Sequence, residues 1–125
     1  MTRAHHAPGA LQARWRARGI WTDETLPDRL GAVEGETIAI VDGDVRLTVD
    51  ELRVRSSRLA AALRDRGIGP GQVVAWQLPN WWEAVVVCWA VWRCGATASP
   101  ITTTLGAREV GHILSRTGAR LIVTP

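Results

Sequence analysis

The feature that most constrains the fold is a cycle of helix-like stripe, glycine and apolar run that recurs about every 27 residues after Thr48, a spacing typical of successive βα units. Gly67, Gly95 and Gly118 each close a helical pattern, and each is followed by a short run suited to a strand. Before the cycle, Thr37-Ile38-Ala39-Ile40-Val41 and Val45-Arg46-Leu47-Thr48 flank Asp42-Gly43-Asp44, which predicts a β-hairpin. The order is therefore a hairpin followed by α-β-α-β-α-β. That pattern implies an α/β fold with a mostly parallel sheet and right-handed crossovers.

Local signals set the expected boundaries. Thr48 and Glu51 match a capping box, and Leu52, Ser56, Leu59 and Leu63 share one stripe. Arg53, Arg55, Arg58, Arg64 and Asp65 face away, so residues 49–66 read as an amphipathic surface helix. Residues 72–78 are almost continuously apolar, as in a strand covered on both faces. Asn80 is the expected N-cap of a helix over 81–94, with Glu83 favourably placed in its first turn. Apolar residues nearly surround that helix, so it needs cover on more than one side, with Trp81, Trp82, Trp89 and Trp92 expected in the core. A strand over 96–99 stopped by Pro100, a helix over 105–117 and a strand over 120–124 complete the pattern. Residues 1–30 read as an N-terminal arm, with a helical turn or two over 12–18, docked onto the body by Trp15, Ile20 and Trp21; one domain fills 31–125.

Composition excludes several functions. The chain has 125 residues, 46% hydrophobic and 22% charged, and its longest apolar run, over 84–92, is too short to cross a bilayer. No apolar segment precedes Trp21 to act as a secretory signal, so the expected location is cytoplasmic. All fifteen basic residues are arginine, which rules out within this chain a lysine-bearing phosphate loop, a Schiff base or lysine-assisted adenylation. A net charge of +3 spread along the chain argues against nucleic-acid binding. Gly67-Ile68-Gly69-Pro70-Gly71 follows a helix and opens a strand, the reverse of a dinucleotide-binding turn.

Few groups remain for chemistry. Cys88 and Cys94 fall on different helical faces and read as buried thiols. His5 and His6 lack partners at metal-ligand spacing, and His112 reads as a solvated surface residue. Asp42, Asp44 and Asp50 lack the calcium-loop pattern and are explained by turn chemistry. The segment Ser99-Pro100-Ile101-Thr102-Thr103-Thr104 leaves the C-terminal end of a parallel strand, where α/β sheets form ligand crevices, and precedes a helix N-terminus. Its hydroxyls suit a polar or anionic ligand; the plainer role is for Thr104 to cap the helix.

Several motifs together resemble one family. Trp21-Thr22-Asp23-Glu24-Thr25-Leu26, Leu47-Thr48-Val49-Asp50-Glu51-Leu52, Leu59-Ala60, Leu63, Gly67-Ile68-Gly69-Pro70-Gly71, Gln77-Leu78-Pro79-Asn80-Trp81, Gly95-Ala96 and Pro100 are similar to the start of AMP-forming adenylate-forming enzymes. Within that superfamily the likeness is greatest to acid-CoA ligases of the medium-chain or cyclohexanecarboxylate type and to aryl acid-AMP ligases. The resemblance implies ATP- and Mg²⁺-dependent activation of a small carboxylic acid to an acyl-adenylate, then transfer to coenzyme A. It also implies that this segment is only the first sub-structure of the large N-terminal domain, with no catalytic residue and no cofactor of its own. Where the family usually has an aromatic residue and an aspartate, this chain has Val49 and Gln72. By likeness to acetyl-CoA synthetases, Thr102, Thr103 and Thr104 lie near the coenzyme A path, where threonines replace glycines. The expectation is a truncated ligase scaffold, inactive alone and prone to self-association through uncovered sheet edges; the alternative is a non-catalytic interaction or regulatory remnant.

Overall fold

The computed structural model describes residues 9–125. The hairpin forms where the alternating segments predict it: β1 (Ile38–Asp42) pairs antiparallel with β2 (Val45–Thr48), setting Ile40 opposite Leu47 and Asp42 opposite Val45. Gly43 makes the turn at φ +56°, a conformation that strains residues bearing a Cβ. Thr48 then ends the hairpin and caps a helix. Its hydroxyl accepts the Glu51 N–H at 3.2 Å, and the Glu51 carboxylate accepts the Thr48 N–H at 2.9 Å.

Two further helices precede the hairpin, α1 (Gly9–Ala17) and α2 (Leu26–Gly31), and the capped helix α3 spans Val49–Asp65. Helix α2 went unanticipated, although Thr25 and Asp28 form the same reciprocal box as Thr48 and Glu51, at 3.3 and 2.8 Å. The expected docking of Trp15, Ile20 and Trp21 is not what forms. After α1 the chain turns back at Gly19, and the Ile20 and Trp21 N–H groups donate to the Trp15 carbonyl. The two indoles then meet each other, 5.7 Å between centroids, while Ile20 stays 66% exposed.

The cycle after α3 gives β3 (Val73–Trp76), α4 (Trp82–Arg93), β4 (Thr97–Pro100), α5 (Ala107–Thr117) and β5 (Leu121–Val123). The three strands form a parallel sheet in the order β4-β3-β5. Val73 pairs with Thr97 and Trp76 with Pro100 on one side; Val74 pairs with Leu121 and Trp76 with Val123 on the other. The central strand is the most deeply buried, as its apolar run predicts: Val74 and Ala75 are inaccessible. Pro100 is the last paired residue of an edge strand, rather than a stop outside it.

Helix α4 has the cover its composition demands. Val87, Ala90 and Val91 join Ala60, Leu63, Val74 and Trp76 in one cluster, while Val86 joins Leu30, Val49 and Leu52 in a second. Each fully buried Val or Leu contributes about 1.5–3 kcal/mol, so α4 is the element that holds sheet, α3 and α2 together. Its tryptophans occupy the rim of this core instead of its centre. Trp81 is 43% exposed, and Trp82, Trp89 and Trp92 are half-buried; the buried indole is Trp76, in the central strand. The Arg55 guanidinium lies 5.1 Å from the Trp82 ring, and Trp89 meets Trp92 edge-on.

The start of α4 differs from expectation. Trp81, not Asn80, is the N-cap, and it makes no side-chain cap bond. The orphan amide of Trp82 instead donates to the Asp42 carboxylate at 2.9 Å, so the hairpin supplies the cap from 40 residues away. Asp42 is therefore more than a turn residue. Asp50 likewise pairs with Arg53, which does not simply face solvent: its guanidinium donates to the carbonyls of Leu30, Gly31 and Val33, where α2 leaves orphan acceptors. Arg53 thus ties the C-terminal end of α2 onto α3.

Candidate functional site

Ligand crevices in α/β sheets open at the C-terminal ends of the strands, here Trp76, Pro100 and Val123. Two backbone bonds extend the sheet past those ends: Ile101 N–H donates to the Trp76 carbonyl at 2.8 Å, and Gln77 N–H to the Val123 carbonyl at 2.9 Å. The segment after β4 is thereby fixed beside the segment after β3. Ile101, only 4% exposed, anchors it from below.

The Gln77 side chain then organises the loop. Its amide nitrogen donates to the Thr102 carbonyl at 3.0 Å and to the Leu105 carbonyl at 2.8 Å, gripping both ends of Thr102-Thr103-Thr104-Leu105. Gln77 stands in the Gln-Leu-Pro-Asn block, yet its role was not legible there, because its partners lie 25 and 28 residues on. All three threonines are exposed, and the hydroxyls of Thr102 and Thr104 lie 3.1 Å apart. Thr104 does not cap the following helix. The N-cap of α5 is Gly106, with no side-chain bond, so the hydroxyls stand on the loop ahead of the helix N-terminus. The site is a presented run of hydroxyls on a loop clamped at both ends, able to hydrogen-bond a polar ligand and carrying no group suited to nucleophilic or acid–base work.

The other candidates do not join it. His112 is exposed on α5 and lines a shallow concavity with Leu105, Arg108, Glu109 and Ile113. Cys94 is buried, its thiol 3.4 Å from the Ala60 carbonyl, whereas Cys88 is only half-buried, contrary to expectation. Burial pushes both thiols up, away from the reactive thiolate. His5 and His6 lie outside the described residues. Among the described residues no group of three or more His, Cys, Asp or Glu side chains is placed to hold a metal ion, and no helix is long and apolar enough to cross a membrane.

Comparison with known proteins agrees with this architecture. The profile of the AMP-binding enzyme family matches residues 28–125. A salicylyl-CoA synthase/salicylate adenylyltransferase from a Streptomyces species is 37% identical over 129 aligned positions, covering 99% of this chain and 23% of that protein. A 2-hydroxy-7-methoxy-5-methyl-1-naphthoate–CoA ligase from Streptomyces carzinostaticus is 34% identical, covering 94% of this chain and 22% of the ligase. Among solved structures, the inhibitor-bound N-terminal domain of FACL13 from Mycobacterium tuberculosis superimposes with a TM-score of 0.62 at 36% identity, over 65% of this chain and 20% of that one. Klebsiella oxytoca NpsA, bound to 3-hydroxyanthranilyl-AMSN, shares the fold with a TM-score of 0.73 at 24% identity, over 82% of this chain and 22% of its own. The chain thus spans less than a quarter of the length of these curated relatives. Hairpin, capped helix and three-stranded parallel sheet together form the opening portion of the N-terminal subdomain, and the chain belongs to the AMP-binding enzyme family.

Proposed function

We propose that this chain is the opening scaffold of an AMP-forming acid-CoA ligase, which activates a carboxylic acid with ATP and passes the acyl group to coenzyme A. The observation that carries the reading is the family match over residues 28–125; the Gln77 side chain, bonded to the Thr102 and Leu105 carbonyls, supports giving the threonine loop at the C-terminal edge of the sheet a part in it. There the loop forms one wall of the path to the coenzyme A thiol. An aryl acid is the first substrate to try, because the salicylate- and naphthoate-activating relatives cover nearly the whole chain. Adenylation in such a ligase calls on a lysine-bearing phosphate loop, and with no lysine in this chain we assign that step to other parts of the protein.

The 125-residue chain alone is expected to give no ATP–pyrophosphate exchange with salicylate, ATP and Mg²⁺; exchange above background sinks the scaffold reading. Reading the coding sequence past the codon for Pro125 tests the rest. A frame that continues into a lysine-bearing loop rich in Ser, Thr and Gly supports the ligase, and a stop favours a non-catalytic interaction remnant. In the continuous protein, Thr103→Trp is expected to raise KM for coenzyme A by about tenfold while the KM for the acid moves far less. Equal changes in both remove the loop from the thiol path. A cytoplasmic location is part of the same proposal. Self-association is also part of the proposal, since β4 and β5 are both edge strands; sedimentation as a monomer at every concentration tested counts against it.

A further inference from the structure

At the opposite end of the strands from the threonine loop, where α4 runs through Gly95 into β4, a concavity of about 420 Å³ opens between α2, α3 and α4. Thr25, Asp28, Ser57, Arg64, Trp92 and Arg93 line it. Arg93 is half-buried in this recess, Arg64 is exposed, and the carboxylate that shares the lining with them is that of Asp28. One oxygen of the Asp28 carboxylate, Oδ2, is spent on Thr25, accepting its N–H at 2.8 Å and its hydroxyl at 2.6 Å. Among the described residues, neither Arg64 nor Arg93 forms an ion pair.

Both guanidiniums are nevertheless held in place. The Arg93 Nε–H donates to the Ser56 hydroxyl at 3.0 Å, and Ser56 is itself inaccessible, its hydroxyl donating to the Leu52 carbonyl at 2.6 Å. That bond spends one Arg93 donor and leaves its two terminal amino groups without an acceptor among the described residues. Arg64 reaches across from α3 and donates to the Arg93 carbonyl. Burial first, then the neighbouring Arg53 and Arg64, lowers the Arg93 guanidinium from its ordinary value, with the Asp28 carboxylate opposing them.

We propose that this recess between α2, α3 and α4 is a binding site for a phosphate group, held between Arg64 and Arg93 with the Ser57 hydroxyl as a further donor. Donors on two different helices approach from more than one plane, which suits a tetrahedral oxyanion better than a planar carboxylate served by a single fork. Trp92, braced edge-on by Trp89 at 5.4 Å between centroids, gives the recess a flat apolar wall for the organic part of a phosphate ester.

The test is a titration of the 125-residue chain with inorganic phosphate at constant ionic strength, chloride making up the balance, followed through the NMR signals of the Arg93 Nε–H and the Trp92 indole N–H. Saturable shifts of both are expected. Arg64→Gln, at an exposed side chain, is expected to weaken binding by about tenfold, the order of one charge-assisted hydrogen bond. Ser57→Glu sets a carboxylate at the mouth of the recess and is expected to abolish saturation while the fold, read by circular dichroism, is kept. Phenyl phosphate binding more tightly than inorganic phosphate identifies an ester as the natural ligand; equal affinity identifies the free ion. Shifts that grow linearly without saturating, unchanged affinity in both variants, or acetate binding as tightly as phosphate would each overturn the assignment.

Discussion

Helices α3 and α5 carry apolar stripes of the same kind and end in very different surroundings. Helix α3 buries Val49, Leu52, Ser56, Ala60 and Leu63, and a reciprocal side-chain cap closes its first turn. Helix α5 sets Val110, Ile113 and Leu114 on one face, yet buries none of its residues and begins at an uncapped Gly106. An amphipathic stripe states which way a helix will turn, whereas burial depends on what stands opposite. For α3 those partners are α4, α2 and the hairpin, which meet at Leu30, Val49, Leu52 and Val86. Stability should therefore be concentrated in the α2–α3–α4 unit, with α5 near the bottom of the scale.

The largest expected effect tests that contrast directly. Leu52→Ala, at a side chain only 2% exposed, is expected to cost about 2–5 kcal/mol in urea unfolding, and Ile113→Ala on α5 about 1 kcal/mol. Equal losses would break the comparison. Arg53→Met comes next, at about 2–3 kcal/mol, because it strips a charged donor from three carbonyls at the end of α2. Thr48→Ala should remove about 1 kcal/mol by opening the box on α3.

Acid tests the matching box on α2. The Thr25 hydroxyl and then its amide hold the Asp28 carboxyl below its ordinary value of 3.8. Its contribution is therefore complete above that pH and is lost as pH falls through the depressed value. The Thr25 amide resonance should report this titration, and Asp28→Asn should abolish it. Smallest of all, Gly106→Ser should gain α5 a few tenths of a kcal/mol. The added Cβ would meet only the end of the Glu109 side chain, at 3.3 Å. A gain equal to the Thr48→Ala loss would show that capping alone, and not burial, separates the two helices.

What could be read from the sequence follows the range of each interaction. The hairpin, α3 and its box, and all three strands of the sheet are marked by patterns inside their own segments, even though the strands pair with residues far along the chain, and they form within a residue or two of the expected limits. Helix α2 had an equally local signal in Thr25 and Asp28, obscured by the Pro and Gly that made its surroundings look like an arm. Arg53, Gln77 and Asp42 are different. Each acts on backbone groups 20 to 40 residues away, and nothing in its own neighbourhood marks it for that work. The threonine loop stands at the end of a strand, as the sequence pattern predicts, but the side chain that bonds its two ends is Gln77, a residue of another loop.

The bond from Trp82 to Asp42 also sets an order of events. A helix capped by its own neighbour can begin as soon as its first turn closes, on the timescale of local chain motion. The first turn of α4 has no such option, because its acceptor arrives only when the chain from Asp42 to Trp82 has looped back on itself. The cap on α4 is thus completed only when the hairpin has docked, and the Trp82 amide registers whether it has.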